Sequence, residues 1–334
     1  MIDFRYHLVS LVSVFLALAV GIVLGAGPLK DSIGTKLNQQ VEALRQERDV
    51  QRADLNTANA AVQHRDEFIT TVTPSLISGQ LTGRSVAIVT LPEVDGDLVD
   101  PLVDAITTAG GKVTGRISIG SRWTDPQQAA ARTKLVNDLA AEIPPGTVAA
   151  ADDVDARLDY LLAGALVSTG AGSIVETTGT TSSTKSKVLN AMKSAELIQI
   201  KGDVAGLAGG ALVLAPAIPV DSGDAVKATP AQSALDSFVT LATALDTIGG
   251  GAVVTGPASS ATNGGLLTEV RKDNTAKARV STVDSGSSPM GVVAAVLALR
   301  EQLSGGSGAY GFGDGVNDPL PALAAEASPS ATKK

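Results

Sequence analysis

Cysteine is absent from the 334 residues, and histidine occurs only twice. The first absence excludes disulfides, thiolate catalysis and cysteine-based metal sites. The second is nearly as restrictive. His7 stands beside the N-terminal apolar run and His64 in a polar helical stretch, so everything beyond residue 84 lacks histidine. A Ser-His-Asp triad or a histidine-ligated metal within that part is therefore ruled out. Aromatic residues make up 3% of the chain, with a single tryptophan. Positive charge is also in deficit. The formal charge of −8 argues against a nucleic-acid footprint.

One long hydrophobic run is present. Leu8 to Leu29 is 22 residues without a formal charge, with Ser10 and Ser13 its plainly polar members. At about 1.5 Å per residue it is long enough to cross a hydrocarbon core of about 30 Å. A cleaved signal has a shorter apolar region and a basic leader. Here Arg5 is balanced by Asp3, although Gly25-Ala26-Gly27 leaves a cleavage reading open. Residues 1–30 are expected to form an uncleaved single-pass anchor. With Arg5 before the run and Lys30 and Lys36 after it, the positive-inside rule does not fix the orientation. The short leader and large following domain favour a cytoplasmic N-terminus and an extracytoplasmic bulk, as in signal-anchor proteins.

Residues 31–74 read as a coiled-coil stalk. A heptad seam passes through Leu37, Val41, Leu44, Arg48, Gln51, Leu55, Ala58, Val62, Arg65, Ile69 and Val72, eight of which are apolar. Glu42/Arg45 and Asp49/Arg52 stand at helical neighbour spacing. Asp31 or Ser32 is placed to cap the start and Pro74 to end the run. So polar a helix gains little standing alone in water. Self-association into a dimer is expected, and packing against the chain's own domain is the alternative. The polar seam residues Arg48, Gln51 and Arg65 read either as tolerance at a loose point or as register and docking positions for another helix.

From Arg84 strands and helices alternate. The expected strands are 85–91, 112–119, 196–200, 211–217, 252–255 and 278–283. The expected helices are 97–109, 126–143, 153–167, 187–195, 230–248, 266–272 and 289–303, with a Gly/Ser/Thr-rich loop at 168–186. This order predicts an α/β, Rossmann-like domain over 84–304 with a largely parallel sheet covered on both faces. Residues 305–334 read as loop and disordered tail.

Chemical motifs are weak. Gly110-Gly111-Lys112 follows a helix instead of opening one, so it reads as a helix stop and not a phosphate loop. Gly170-Ala171-Gly172 lacks the third glycine of a dinucleotide fingerprint. Asp152, Asp153 and Asp155 could offer oxygens to a divalent cation, but acids also favour a helix start. Asp284 follows a strand at the end where open α/β sheets bind ligands; capping the next segment is the competing reading. Tyr310 and Phe312 lie in the glycine-rich stretch 308–315, which is either a packed return over the core or a partner-binding loop. No cofactor is implied, and the chain is expected not to be an enzyme.

The opening MIDFRYHLVSLVSVFLALAVGIVLGAGPL, the stalk after it, the segment Val280-Ser281-Thr282-Val283-Asp284 with its following apolar helix, and Tyr310-Gly311 together resemble the actinobacterial copper transporter family MctB, also called SteB in a cell-separation context. The resemblance implies a role in copper efflux or homeostasis at the cell envelope. Its other context implies a membrane complex with a SteA-like partner that controls a peptidoglycan hydrolase during cell separation. The residues themselves name no copper site. Copper(I) prefers Cys and Met and copper(II) accepts His, while Met1, Met192 and Met290 are scattered. An indirect part in copper handling, through partners, is the expectation.

Overall fold

The computed structural model describes residues 4–26, 28–142, 153–169, 180–218 and 232–322. The chain divides into two compact units, Met1–Arg65 and Asp66–Lys334.

The first unit is helical. Helix α1 (Phe4–Ala26) contains one stretch, Phe4–Gly25, long and apolar enough to cross a membrane. Helix α2 runs Pro28–Ile77, so it starts before Asp31 and Ser32. Where α2 belongs to the first unit, its seam is exposed. Leu37, Val41, Leu44, Leu55 and Val62 are between 37% and 64% exposed, and Arg48, Gln51, Ala58 and Arg65 are exposed or half-exposed too. Asp49 pairs with its neighbour Arg48 at 2.7 Å. Both partners are largely exposed, so that pair contributes little.

The second unit begins within α2. The helix does not stop at Pro74 but continues to Ile77, and the Ser78 amide donates to the Pro74 carbonyl at 3.0 Å. A proline inside a helix costs about 3 kcal/mol. Ile77 and Leu81 just beyond are fully buried, each contributing about 1.5–3 kcal/mol, which is enough to carry the chain through. Ile69 also packs against this core.

Next come β1 (Ser85–Thr90), α3 (Val99–Thr108) and β2 (Lys112–Ile119). Gly110, at φ +81, makes the turn between α3 and β2, the left-handed geometry that glycine adopts without penalty. The helix expected over 126–143 is broken: a 3-10 turn at Pro126–Gln128, α4 (Ala129–Asp138) and a second turn at Ala140–Glu142. Helices α5 (Val154–Leu166) and α6 (Thr180–Ser194) precede β3 (Ile198–Lys201). Helix α6 starts earlier than its Ser/Thr-rich opening suggests, since such residues are weak helix formers. The Gly170-Ala171-Gly172 motif lies outside the described residues.

The second half holds β4 (Gly210–Leu214), α7 (Gln232–Ile248), β5 (Ala252–Thr255), α8 (Leu266–Lys272), α9 (Asn274–Arg279), β6 (Ser281–Val283), α10 (Pro289–Gln302) and β7 (Ala309–Tyr310). Helix α9 and strand β7 depart from the sequence expectation. Asp273 caps α9 through the Thr275 and Ala276 amides, which takes residues 278–280 away from the strand.

The seven strands form one sheet in the order β3-β2-β1-β4-β5-β6-β7. Every neighbouring pair is parallel except β2 with β3. This is a doubly wound sheet whose order reverses between β1 and β4. Strand residues alternate between two cores. Ala87, Val89, Val213 and Val254 face the layer containing α5 and α7. Val86, Ile88, Leu212 and Val253 face α3, α10 and the end of α2. Burial on both faces explains why β1 and β4 read as continuous apolar runs.

Candidate functional site

Three residues singled out from the sequence, Asp284, Tyr310 and Phe312, meet in one place. Asp284 directly follows β6 and is 2% exposed. Its Oδ1 accepts the Phe312 amide at 2.9 Å, and its Oδ2 accepts the Gly313 amide at 2.9 Å and Nη2 of Arg271 at 3.1 Å. Arg271, on α8, is itself buried. Its Nε donates to the Thr282 hydroxyl at 2.9 Å, its Nη1 to the Asp314 carbonyl at 2.9 Å and its Nη2 also to the Tyr310 carbonyl at 3.3 Å.

The ion pair is thus bonded on every side, the condition under which a buried pair is tolerated. Its work is to tie the return segment to the sheet. The Asp284 amide donates to the Tyr310 carbonyl at 3.2 Å as part of the β6–β7 pairing. Gly311 has φ +124, and a Cβ there would fall 1.8 Å from Oδ1 of Asp284, so only glycine fits. Tyr310 is buried and its hydroxyl donates to Glu301. Burial, and then that carboxylate, push the Tyr310 phenol far above its ordinary value. Phe312 is 63% exposed, held outward by a backbone fastened at its own amide.

Asp284 does not cap the following helix. Ser288 does, accepting the Gly291 amide at 3.2 Å. The acids near residue 153 have separate tasks. Asp153 caps α5 through the Asp155 amide at 2.9 Å, and Asp155 receives Arg132 at 2.7 and 3.2 Å. Asp152 lies outside the described residues. Among the described residues no group of three or more His, Asp or Glu side chains is placed to hold a metal ion. Met192 is fully buried in the core.

Sequence reasoning also missed Asp159 and Lys185. Asp159 on α5 is completely buried and accepts the Trp123 indole at 3.0 Å. Among the described residues its Oδ2 has no partner, and burial holds its carboxyl well above the usual range. Lys185 is also buried, donating to the Val204 carbonyl at 2.8 Å, and burial lowers its ammonium. The one signal for Asp159 was an acid among Leu158, Leu161 and Leu162 on an apolar helix.

Comparison with known proteins covers nearly the whole of this architecture. The family described as "Copper transport outer membrane protein, MctB" matches residues 1–321. The chain belongs to the MctB family. Proteins named "Copper transporter MctB" from Mycobacterium tuberculosis (strain ATCC 25618 / H37Rv) and Mycobacterium bovis (strain ATCC BAA-935 / AF2122/97) are each 30% identical to it over 328 residues, covering 94% of this chain and 98% of theirs. The Mycobacterium leprae (strain TN) protein of the same name is 30% identical over 323 residues.

The family description names an outer membrane, where spanning proteins are commonly closed β-barrels. The sheet of this family member is open and covered by helices on both faces, so it is not such a barrel. Among the described residues the element with the dimensions of a span is α1. Together with the family, it suggests membrane anchoring.

Proposed function

We propose that this MctB-family chain is a non-enzymatic, membrane-anchored scaffold of the cell envelope, with a cytoplasmic N-terminus and a dimeric stalk, whose part in copper handling runs through partners. The observation that carries the reading is the exposed apolar seam of α2, from Leu37 to Val62. A row of leucines and valines at heptad spacing is stabilised when a second copy covers it. A common anchor would hold two copies parallel. In that register Glu47 of one copy faces Arg52 of the other at the flanking positions, an attractive pair.

The relatives' name supplies copper as the physiological cargo. The chain offers little for copper to bind: no cysteine, three separated methionines, and no histidine after residue 64. Calorimetric titration of the detergent-solubilised full chain with Cu(I) and Cu(II) tests this. No stoichiometric tight binding is expected. A one-to-one complex of submicromolar affinity would contradict the indirect role.

A second reading is favoured by Arg48 and Gln51, which interrupt the seam at adjacent core positions. There the stalk would dock a helix of a partner that regulates cell-wall hydrolysis. Pull-downs from solubilised membranes with Arg48→Leu/Gln51→Leu/Arg65→Leu address it. Recovery of wall-hydrolase or division proteins with the wild type and their loss from the variant is the expected outcome. Equal recovery would refute docking at these positions.

A further inference from the structure

The two edges of the sheet are finished differently. At one edge β7 is two residues long, and the chain itself closes it. The Asn317 amide donates to the Ala309 carbonyl at 2.7 Å, the Ala309 amide to Oδ1 of Asn317 at 3.0 Å and the Gly311 amide to the Asp318 carbonyl at 3.2 Å. At the other edge β3 pairs with β2 alone. The Gly120 amide donates to the Leu197 carbonyl at 2.8 Å, which fixes the phase of that ladder. In an antiparallel pair, successive residues point their backbone groups alternately toward the neighbouring strand and away from it. Gln199 and Lys201 therefore turn theirs to β2, and Ile198 and Ile200 turn theirs outward. Among the described residues nothing bonds to those outward amides and carbonyls.

Proteins blunt an open edge with proline, a bulge, a charge or a covering segment. β3, with the sequence Ile-Gln-Ile-Lys, has one of these, Lys201 at its last position. Its register with β2 is unbroken over all four residues. A groove of about 490 Å³ touches Ile198, Gln199 and Ile200. Side chains of successive strand residues alternate between the faces of a sheet, so a groove that reaches all three runs beside the backbone.

We infer that β3 of one protomer pairs antiparallel with β3 of its partner, about a two-fold axis at Gln199. The strand is its own complement in that register. Ile198 stands opposite the partner's Ile200, so the outward amides and carbonyls of each copy are matched in number and position. Gln199 stands opposite the partner's Gln199, and two side-chain amides can donate to and accept from one another. Lys201 comes one position from directly opposite the partner's Glu196, an attractive pair. Glu196 is 69% exposed and holds Arg122 of its own copy at 2.9 Å. The charge that deters a strand of unrelated sequence is thus answered by a second copy. This inference rests on the dimeric stalk proposed above. Four residues a side are too few to hold two copies unaided, and the stalk supplies the effective concentration. The pairing then joins two seven-stranded sheets into one.

The absence of cysteine makes cross-linking a direct test. On the two-fold axis the Gln199 pair is of the non-hydrogen-bonded kind, with Cα atoms about 4.5 Å apart, within reach of a disulfide. Gln199→Cys in the detergent-solubilised full chain, mildly oxidised, is expected to give a disulfide-linked dimer. Lys134→Cys, at an exposed position on α4, reports chance collisions and should give none. Ile200→Pro removes an outward amide and leaves the bonds to β2 in place. Added to Gln199→Cys, it should abolish the link while the unfolding temperature and the dimer's mass are kept. Leu44→Asp should lose the link together with the dimer. Sedimentation equilibrium of the same samples separates the two readings. A dimer in which Gln199→Cys does not link overturns the pairing alone, whereas a monomeric wild type overturns the stalk and the pairing together. A link that forms no faster than with Lys134→Cys, or that survives Ile200→Pro, would contradict pairing at β3.

Discussion

The stalk portion of α2 and the sheet that follows place their apolar residues in opposite ways. From Leu37 to Val62 the large apolar seam residues are exposed to between 37% and 64%. In β1 and β4, Val86 to Val89 and Ala211 to Val213 are buried to within 1%. The sheet satisfies itself, because parallel strands flanked by crossover helices cover both faces. A lone helix has no second layer and satisfies its seam only against another molecule. Ile69 marks the change, since it keeps the heptad spacing yet packs on the chain's own core. One continuous helix thus carries an exposed seam in its first part and a packed one at its end.

The largest expected break in the self-sufficient half is at Arg271. Arg271→Met strands the buried Asp284 carboxylate, a change worth about 3–5 kcal/mol. Denaturant unfolding should show that loss, with residues 308–318 becoming protease-sensitive. A loss under about 1 kcal/mol would mean that the ion pair does not hold the return segment.

A smaller effect is expected at Asp159, and it depends on pH. In the folded protein burial, offset only in part by the Trp123 donor, raises its carboxyl well above the ordinary range. In the unfolded chain it ionises near its ordinary value of about 3.9. The unfolded state therefore binds fewer protons above that pH, and this group's contribution to stability declines as pH rises toward its folded value. Asp159→Asn should gain on the wild type progressively from about pH 4 upward, followed by thermal unfolding at several pH values. A difference independent of pH would show the acid to be ionised in the fold.

The smallest expected effect is at the α5 cap. Asp153→Ala removes the bond to the Asp155 amide and should cost about 1 kcal/mol, leaving the stalk's association unchanged. An altered oligomer would break the comparison between the two regions.

Much of the sheet is legible in the sequence because its signals are local. Strands 112–119 and 252–255 and helix 266–272 have the same bounds in sequence and structure. The features hidden from the sequence depend on partners distant along the chain. Strand β7 is two residues among glycines and exists because Asp284, 28 residues earlier, binds the Phe312 amide. The run through Pro74 depends on a core whose other members include Leu299 and Tyr310, far along the chain, and the Arg300–Gln80 hydrogen bond at 2.9 Å likewise spans 220 residues. Asp159 meets Trp123 across 36 residues. For the site, the sequence points to Asp284, Tyr310 and Phe312 separately. Nothing local could show that Arg271 joins them, or that β3 runs antiparallel and sets Lys201 against Arg116.

The proposed dimer depends most heavily on the unsatisfied seam of the stalk. Sedimentation equilibrium of the detergent-solubilised full chain, wild type beside Leu44→Asp, tests it directly. A dimer is predicted for the wild type and a monomer for the variant, with the sheet domain's unfolding temperature unchanged. The same mass for both proteins would contradict it.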